Sequence, residues 1–164
     1  MSRVSPALLR LNLDWLTILA GVLAAAAPEE GCALLLGQQL PGGASGGDVL
    51  QVSEVWPCQN RWEPKRERCQ RFLLDPREQL LAQRWARQRG VQVLGSAHSH
   101  PASPAEPSAT DLALAVAPTL MVIGSGLPGA GAAAEPAGPL AGLGAWWLPG
   151  DGAAPLALAI EIAS

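Results

Sequence analysis

The chain has 164 residues and a mass of 16.9 kDa, which suits a single domain over residues 1–164. With 49% hydrophobic and 15% charged residues it can build a core, and it lacks the composition of a disordered chain. A net charge of −3 and a pI near 5.3 leave no basic footprint for nucleic acid, and 3 Cys, an odd number, exclude a fully paired disulfide framework.

The N-terminus imitates a signal peptide. Arg3 and Arg10 precede an apolar run that ends in alanines before Pro28. Asn12 and Asp14 interrupt the approach, however, and Leu13, Leu16, Leu19, Leu23 and Ala27 recur at helical spacing. The segment reads as an amphipathic core helix of a cytoplasmic protein. The uncharged run from Trp15 to Ala27 is too short to span a bilayer, so no membrane is expected.

In chain order, residues 7–11 read as a short edge strand. Asn12 caps the first helix, which runs to about Ala27. Cys32–Leu36 is a continuous apolar run ending at Gly37, the pattern of a buried strand, and after the loop PGGASGG a second strand covers Val49–Trp56. Residues 57–70 hold Lys65, Arg66, Glu67 and Arg68 and read as a solvated loop. Within and beside it, Cys58 and Cys69 either pair or stay free. Asp75 and Pro76 open a second helix, with Glu78 at the capping-box position and Gly90 closing it. Val91–Ala97 is a strand leading into His98-Ser99-His100. A proline-rich loop and a short helix over 109–117 follow, then a strand at Leu120–Ile123. Residues 124–142 are low-complexity Gly/Ala/Pro and read as a loop, and Ala145–Leu148 with Leu156–Ile162 form a closing hairpin. Trp15 and Trp85 fall on helices as core residues; of Trp146 and Trp147, one faces inward and one outward as cover on an edge strand. Strands and helices mix without strict alternation, so the class is mixed α/β.

The 2 His of the chain sit two residues apart. On a strand, residues i and i+2 share a face, so His98 and His100 can meet one metal ion. The proline-rich loop then returns the chain to a helix whose first turn holds Asp111. Two imidazoles and a carboxylate form a three-ligand zinc site with an open fourth position, where a water is acidified towards neutral pH. Hydrolysis also needs a proton carrier. Glu30 beside the apolar strand is the candidate, Glu29 being one residue off and aimed elsewhere. Ser108 is the candidate donor to a developing oxyanion. Each residue also has a plain reading: two polar residues at a strand end, an S-x-x-D helix cap, an exposed loop acid. The five together, in this order, favour chemistry.

The pattern Glu30 … His98-x-His100-Pro101 … Pro107-Ser108-x-x-Asp111 resembles the JAMM metallopeptidases, also called the MPN or Mov34/PAD-1 family. Pro28-Glu29-Glu30-Gly31-Cys32-Ala33-Leu34-Leu35-Leu36-Gly37 is similar to the family's P-x-E-x-C-G-x-L-x-G segment, with Ala33 where many relatives have glycine. Phe72-Leu73-Leu74-Asp75-Pro76 resembles the step before the histidines in short prokaryotic members. The resemblance implies a curved mixed sheet flanked by helices, of the cytidine-deaminase type. It implies one zinc per chain on His98, His100 and Asp111, with Glu30 as general base and then acid, and Ser108 stabilising the tetrahedral intermediate. It further implies cleavage of peptide or isopeptide bonds after the C-terminal Gly-Gly of a ubiquitin-like or sulfur-carrier protein. The alternative is an inactive binding module of the same fold, for which the bland 124–142 stretch speaks. A cysteine hydrolase built on Cys32 ranks lower, because that thiol falls in an apolar strand. The sequence does not bear on oligomeric state.

Overall fold

A computed structural model describes residues 4–44, 46–127 and 138–164. Seven strands and three helices follow in the order β1 (Pro6–Asn12), α1 (Leu13–Ala25), β2 (Cys32–Leu40), β3 (Asp48–Cys58), α2 (Pro76–Gln88), β4 (Gln92–His100), α3 (Ala109–Leu114), β5 (Thr119–Ser125), β6 (Leu143–Leu148) and β7 (Leu156–Ala163). The class is the mixed α/β expected. The sheet curves until it closes, in the order β1-β3-β2-β4-β5-β6-β7. β1 is therefore no edge strand. It pairs in parallel with both β3 and β7, which removes the exposed edge that an open sheet would present. For the same reason β6, between β5 and β7, is not an edge.

Each helix end shows its sequence logic. Asn12 accepts a hydrogen bond from the Trp15 amide at 2.8 Å and starts α1. Leu16, Leu19 and Leu23 of α1 are buried in the main core with Ala33, Leu35, Ala97, Leu120 and Val122. The buried stripe is narrower than the periodicity suggests: Leu13 is 50% exposed, and Ala27 lies beyond the end of the helix. Asp75 caps α2 through the Arg77 amide at 2.9 Å, and Pro76 takes the first helical position. Glu78, expected to complete a capping box, instead accepts the Trp56 indole N–H at 2.8 Å and ties α2 to β3. Ala82 and Ala86, both fully buried, let α2 lie close on Leu34 and Leu36 of β2. Gly90 supplies the left-handed turn (φ 69°) between α2 and β4. α3 stops at Leu114, short of the expected Ala117.

Strand register fixes which residues face which helix. β2 runs on past Gly37 to Leu40, because Gly37 is a strand residue at a bulge: a Cβ there would sit 1.8 Å from the Gln51 carbonyl. A second irregularity lies in β4. Leu35 pairs with Gly95 but Leu36 pairs with Val93, so Leu94 is an extra residue. Before it Val93 packs with the α2 layer; after it Leu94 and Ala97 pack with the α1 core. The bulge inverts the alternation, and it thereby turns His98 and His100 away from the apolar α1 layer.

Trp146 and Trp147 do point to opposite faces, Trp147 towards the main core and Trp146 towards Met121, Ile123 and Leu148, but both are partly buried and neither is an exposed outward cover. Trp15 and Trp85 are likewise partly buried. Cys58 lies opposite Cys32 in the β2–β3 register, Cys69 is exposed, and all three cysteines are free. The Gly/Ala/Pro stretch expected as a loop over 124–142 begins later than predicted, since Gly124 and Ser125 belong to β5; residues 128–137 lie outside the described residues. No helix among the described residues is long and apolar enough to cross a membrane.

Candidate metal centre

At the C-terminal end of β4, His98 and His100 project to the same side, and α3 brings Asp111 against them. His98 Nε2, His100 Nε2 and Asp111 Oδ2 are each 3.0 Å from the other two. All three residues are buried. Two imidazole nitrogens and a carboxylate oxygen bring their lone pairs to one point, an arrangement that needs a shared proton or a cation between them. Ligands at about 2.0–2.1 Å from a tetrahedral zinc ion stand roughly 3.3 Å apart, so the spacing fits such an ion with little adjustment.

The three candidate ligands are held by different means. Asp111 sits at the third position of α3, where Ser108 and Asp111 form a complete capping box. The Ser108 amide donates to Asp111 Oδ2 at 2.9 Å, and the Asp111 amide donates to Ser108 Oγ at 3.0 Å. The plain reading of this motif as a helix cap therefore holds, and the cap leaves Asp111 Oδ2 against both histidines. Ser108 itself is exposed. Its Oγ accepts from Asp111, which leaves the hydroxyl proton free to donate. His100 is oriented by a 2.7 Å contact from Nδ1 to the Pro104 carbonyl, the outer-shell contact that fixes a ligating imidazole. His98 lacks such a partner: its buried Nδ1 makes no hydrogen bond among the described residues. Phe72 stacks on its ring instead, with centroids 4.3 Å apart and planes at 20°.

Burial and neighbours set the protonation. Burial holds His98 below the ordinary histidine range, so it presents a neutral imidazole ready to ligate. Burial also disfavours the charged form of His100, but hydrogen bonds to Asp111 and the Pro104 carbonyl outweigh it and raise its pKa. Asp111 is opposed by burial yet held far below the usual carboxylate range by both histidines. Glu30, 4% exposed, has its pKa pushed up to about 7, mainly by burial, with the His100 charge opposing and Asp111 adding. Its Oε2 has no hydrogen-bond partner among the described residues. Glu30 lies two residues before Cys32, which pairs with His98, so the strand alternation gives Glu30 the histidine face. Glu29 takes the opposite parity and is only partly buried. Cys32 and Cys58 are pushed up to about 12 and about 11 by burial, which keeps both as thiols and removes the case for a cysteine nucleophile.

A cavity of about 360 Å³ between the end of α1 and the loop after β3 reaches Glu30, with Gly31, Cys58, Gln59 and Asn60 in its wall. A second hollow of about 280 Å³ against β6 and β7 is lined by side chains such as Leu140, Trp146 and Leu158 and has no titratable group.

Phe72, Ser99, Asn60 and the Pro104 carbonyl contribute to the site without having been assigned site roles from the sequence. An aromatic just before the α2 cap is the one readable signal; a backbone carbonyl leaves none.

Comparison with known proteins agrees with this geometry. The family model described as prokaryotic homologues of the JAB domain matches residues 14–137, a span that holds Glu30, both histidines, Ser108 and Asp111. Among solved structures, a solution structure of a protein from Desulfitobacterium hafniense is 31% identical with a TM-score of 0.72, covering 94% of this chain and 92% of that one. A solution structure from Salinibacter ruber is 32% identical with a TM-score of 0.62, covering 94% and 91%. A JAB1/MPN domain protein from Archaeoglobus fulgidus, 18% identical with a TM-score of 0.50 over 96% and 99%, shares the fold. No curated protein matches the chain. By the extent of the family match and the position of the site within it, the chain belongs to the prokaryotic homologues of the JAB domain.

Proposed function

We propose that the protein is a zinc-dependent peptidase or isopeptidase that cleaves after the C-terminal Gly-Gly of a ubiquitin-like or sulfur-carrier protein. The observation that carries this reading is the convergence of His98, His100 and Asp111 to 3.0 Å beside a buried Glu30 whose pKa is raised to about 7. His98, His100 and Asp111 would hold the ion, one per chain. When bound, zinc supplies Lewis acidity at the scissile carbonyl and at the attacking water.

The chain's own groups do the rest. Glu30 accepts the proton that the attacking water loses as the carbon–oxygen bond forms, and a pKa near 7 suits both halves of its task. Ser108 donates its hydroxyl proton as a hydrogen bond to the oxygen that gains charge. When the carbon–nitrogen bond breaks, Glu30 delivers the proton to the departing amine. The Cys32 and Cys58 thiols, held protonated by burial, take no part. The cavity beside Glu30 supports a narrow extended tail as substrate, because glycine residues carry no side chain to collide with its walls.

The test measures bound zinc and follows cleavage of Gly-Gly-extended carrier proteins by mass. The proposal expects one zinc per chain and release of the residues beyond the Gly-Gly. A zinc-loaded protein that leaves every such carrier intact while still binding one would favour the inactive binding module of the same fold.

A further inference from the structure

We propose that Ser99, the residue between the two histidines, is a positioning residue that aims Glu30 at the metal centre. This inference rests on the reading of Glu30 as proton carrier. Ser99 faces away from the histidines, to the α1 side of β4, where it continues the β2–β4 ladder one pair beyond Cys32 and His98. There the Ser99 amide donates to the Gly31 carbonyl at 3.0 Å. In an ordinary antiparallel pair the Gly31 amide would donate to a main-chain carbonyl in return. Instead it donates to Ser99 Oγ at 2.8 Å, in a buried bond. A side chain therefore makes the last rung of the ladder, and that rung holds the residue next to Glu30.

Glu30 needs such a hold because its Oε2 is buried without a hydrogen-bond partner among the described residues. Its hydrogen bonds among the described residues are made by its main chain. The Glu30 amide donates to the Arg68 carbonyl at 2.7 Å, and its carbonyl accepts from Asn60 Nδ2 at 3.1 Å, both on the loop side. On the sheet side the only hold described is the Ser99–Gly31 pair. Gly31 is also wedged against α1, since a Cβ there would lie 2.8 Å from the Leu23 carbonyl, so it has no side chain with which to anchor itself. The two histidines end β4 and Glu30 lies just before β2, and the Ser99–Gly31 rung ties these two segments together.

The experiment compares Ser99→Ala and Ser99→Thr with the wild-type protein. For Ser99→Ala the proposal expects unchanged zinc content, a thermal midpoint lowered by the loss of one buried hydrogen bond, KM little altered, and kcat lower by about 10- to 100-fold among folded molecules, the effect of a misplaced catalytic group. The Gly31 amide should exchange with solvent faster, and the Glu30 carboxyl resonance should move. Ser99→Thr, which keeps the acceptor oxygen, should restore both. Unchanged turnover in Ser99→Ala, or a loss of zinc that accounts for the lost turnover, would overturn the proposal. If the wild-type protein cleaves no carrier tail, the functional reading fails by itself. The Gly31 exchange and the Glu30 resonance then still decide whether Ser99 sets the carboxyl position: neither moving in Ser99→Ala would overturn it.

Discussion

The two faces of β4 differ sharply over a span of three residues. On the α1 side, Ala97 is sealed among Leu19, Leu23, Leu35 and Val122, and the only polar group, Ser99, is satisfied by its own ladder rung. On the other side, His98, His100, Asp111 and Glu30 are all buried, two of them with polar atoms that find no protein partner. Burying polar atoms without partners costs free energy, and sites that do so are where function is built. The inner face keeps the fold; the outer face carries a destabilised cluster that a cation would relieve. The bulge at Leu94 separates them, because without it the histidines would face the leucines of α1.

The largest expected effect falls on the outer face. Replacing His98 or His100 with Ala removes a ligand, and no other histidine exists in the chain to replace it. Zinc content measured by mass spectrometry should drop from one per chain to near zero. On the inner face, Leu19→Ala should cost about 2–5 kcal/mol in urea unfolding by the usual core-truncation range, without changing zinc affinity per folded molecule. Gly95→Ala tests the division itself: its Cβ would stand 1.9 Å from the Leu120 carbonyl, so it should destabilise the fold and disturb zinc binding together.

Glu30 gives a pH-dependent contrast. Its folded pKa, about 7, exceeds its ordinary value of 4.5, so between those values the folded state binds the extra proton. Stability of the metal-free protein therefore falls as pH rises from about 4.5 to 7, by up to about 3 kcal/mol, and levels off above. Glu30→Gln has no charge to bury, so it should raise the thermal midpoint of the metal-free protein at pH 8 and change it little at pH 4. A mutant equally stable to wild type at pH 8 would mean that the carboxylate is not strained. The smallest effect should come from Phe72→Leu. Loss of the stack on His98 loosens one ligand, and zinc affinity should fall about tenfold, within the range for outer-shell changes.

Much of this contrast was legible in the sequence, and the missing parts share a cause. The candidate metal cluster and the α2 and α3 N-caps are local patterns, each written within a few residues, and the structure brings His98, His100 and Asp111 together as their spacing suggests. Closure of the sheet through β1 was not legible, because it depends on β7 lying some 150 residues away in sequence, a separation the tool of local periodicity cannot bridge. The bulge is faint in the sequence for a different reason: a lone Gly95 inside an apolar run is its one local signal, and it also fits an ordinary strand. Glu78 shows the limit of motif reasoning, since Trp56 outcompeted the helix cap for its carboxylate. Phe72 and Ser99 act through their partners, and a single sequence does not display partners.

The central claim, that the outer face of β4 is a hydrolytic metal centre with Glu30 as its proton carrier, is tested most directly by Glu30→Gln. This variant should bind one zinc as the wild-type protein does and fail to cleave a Gly-Gly-extended carrier that the wild-type protein cuts. Cleavage by Glu30→Gln at the wild-type rate would contradict it.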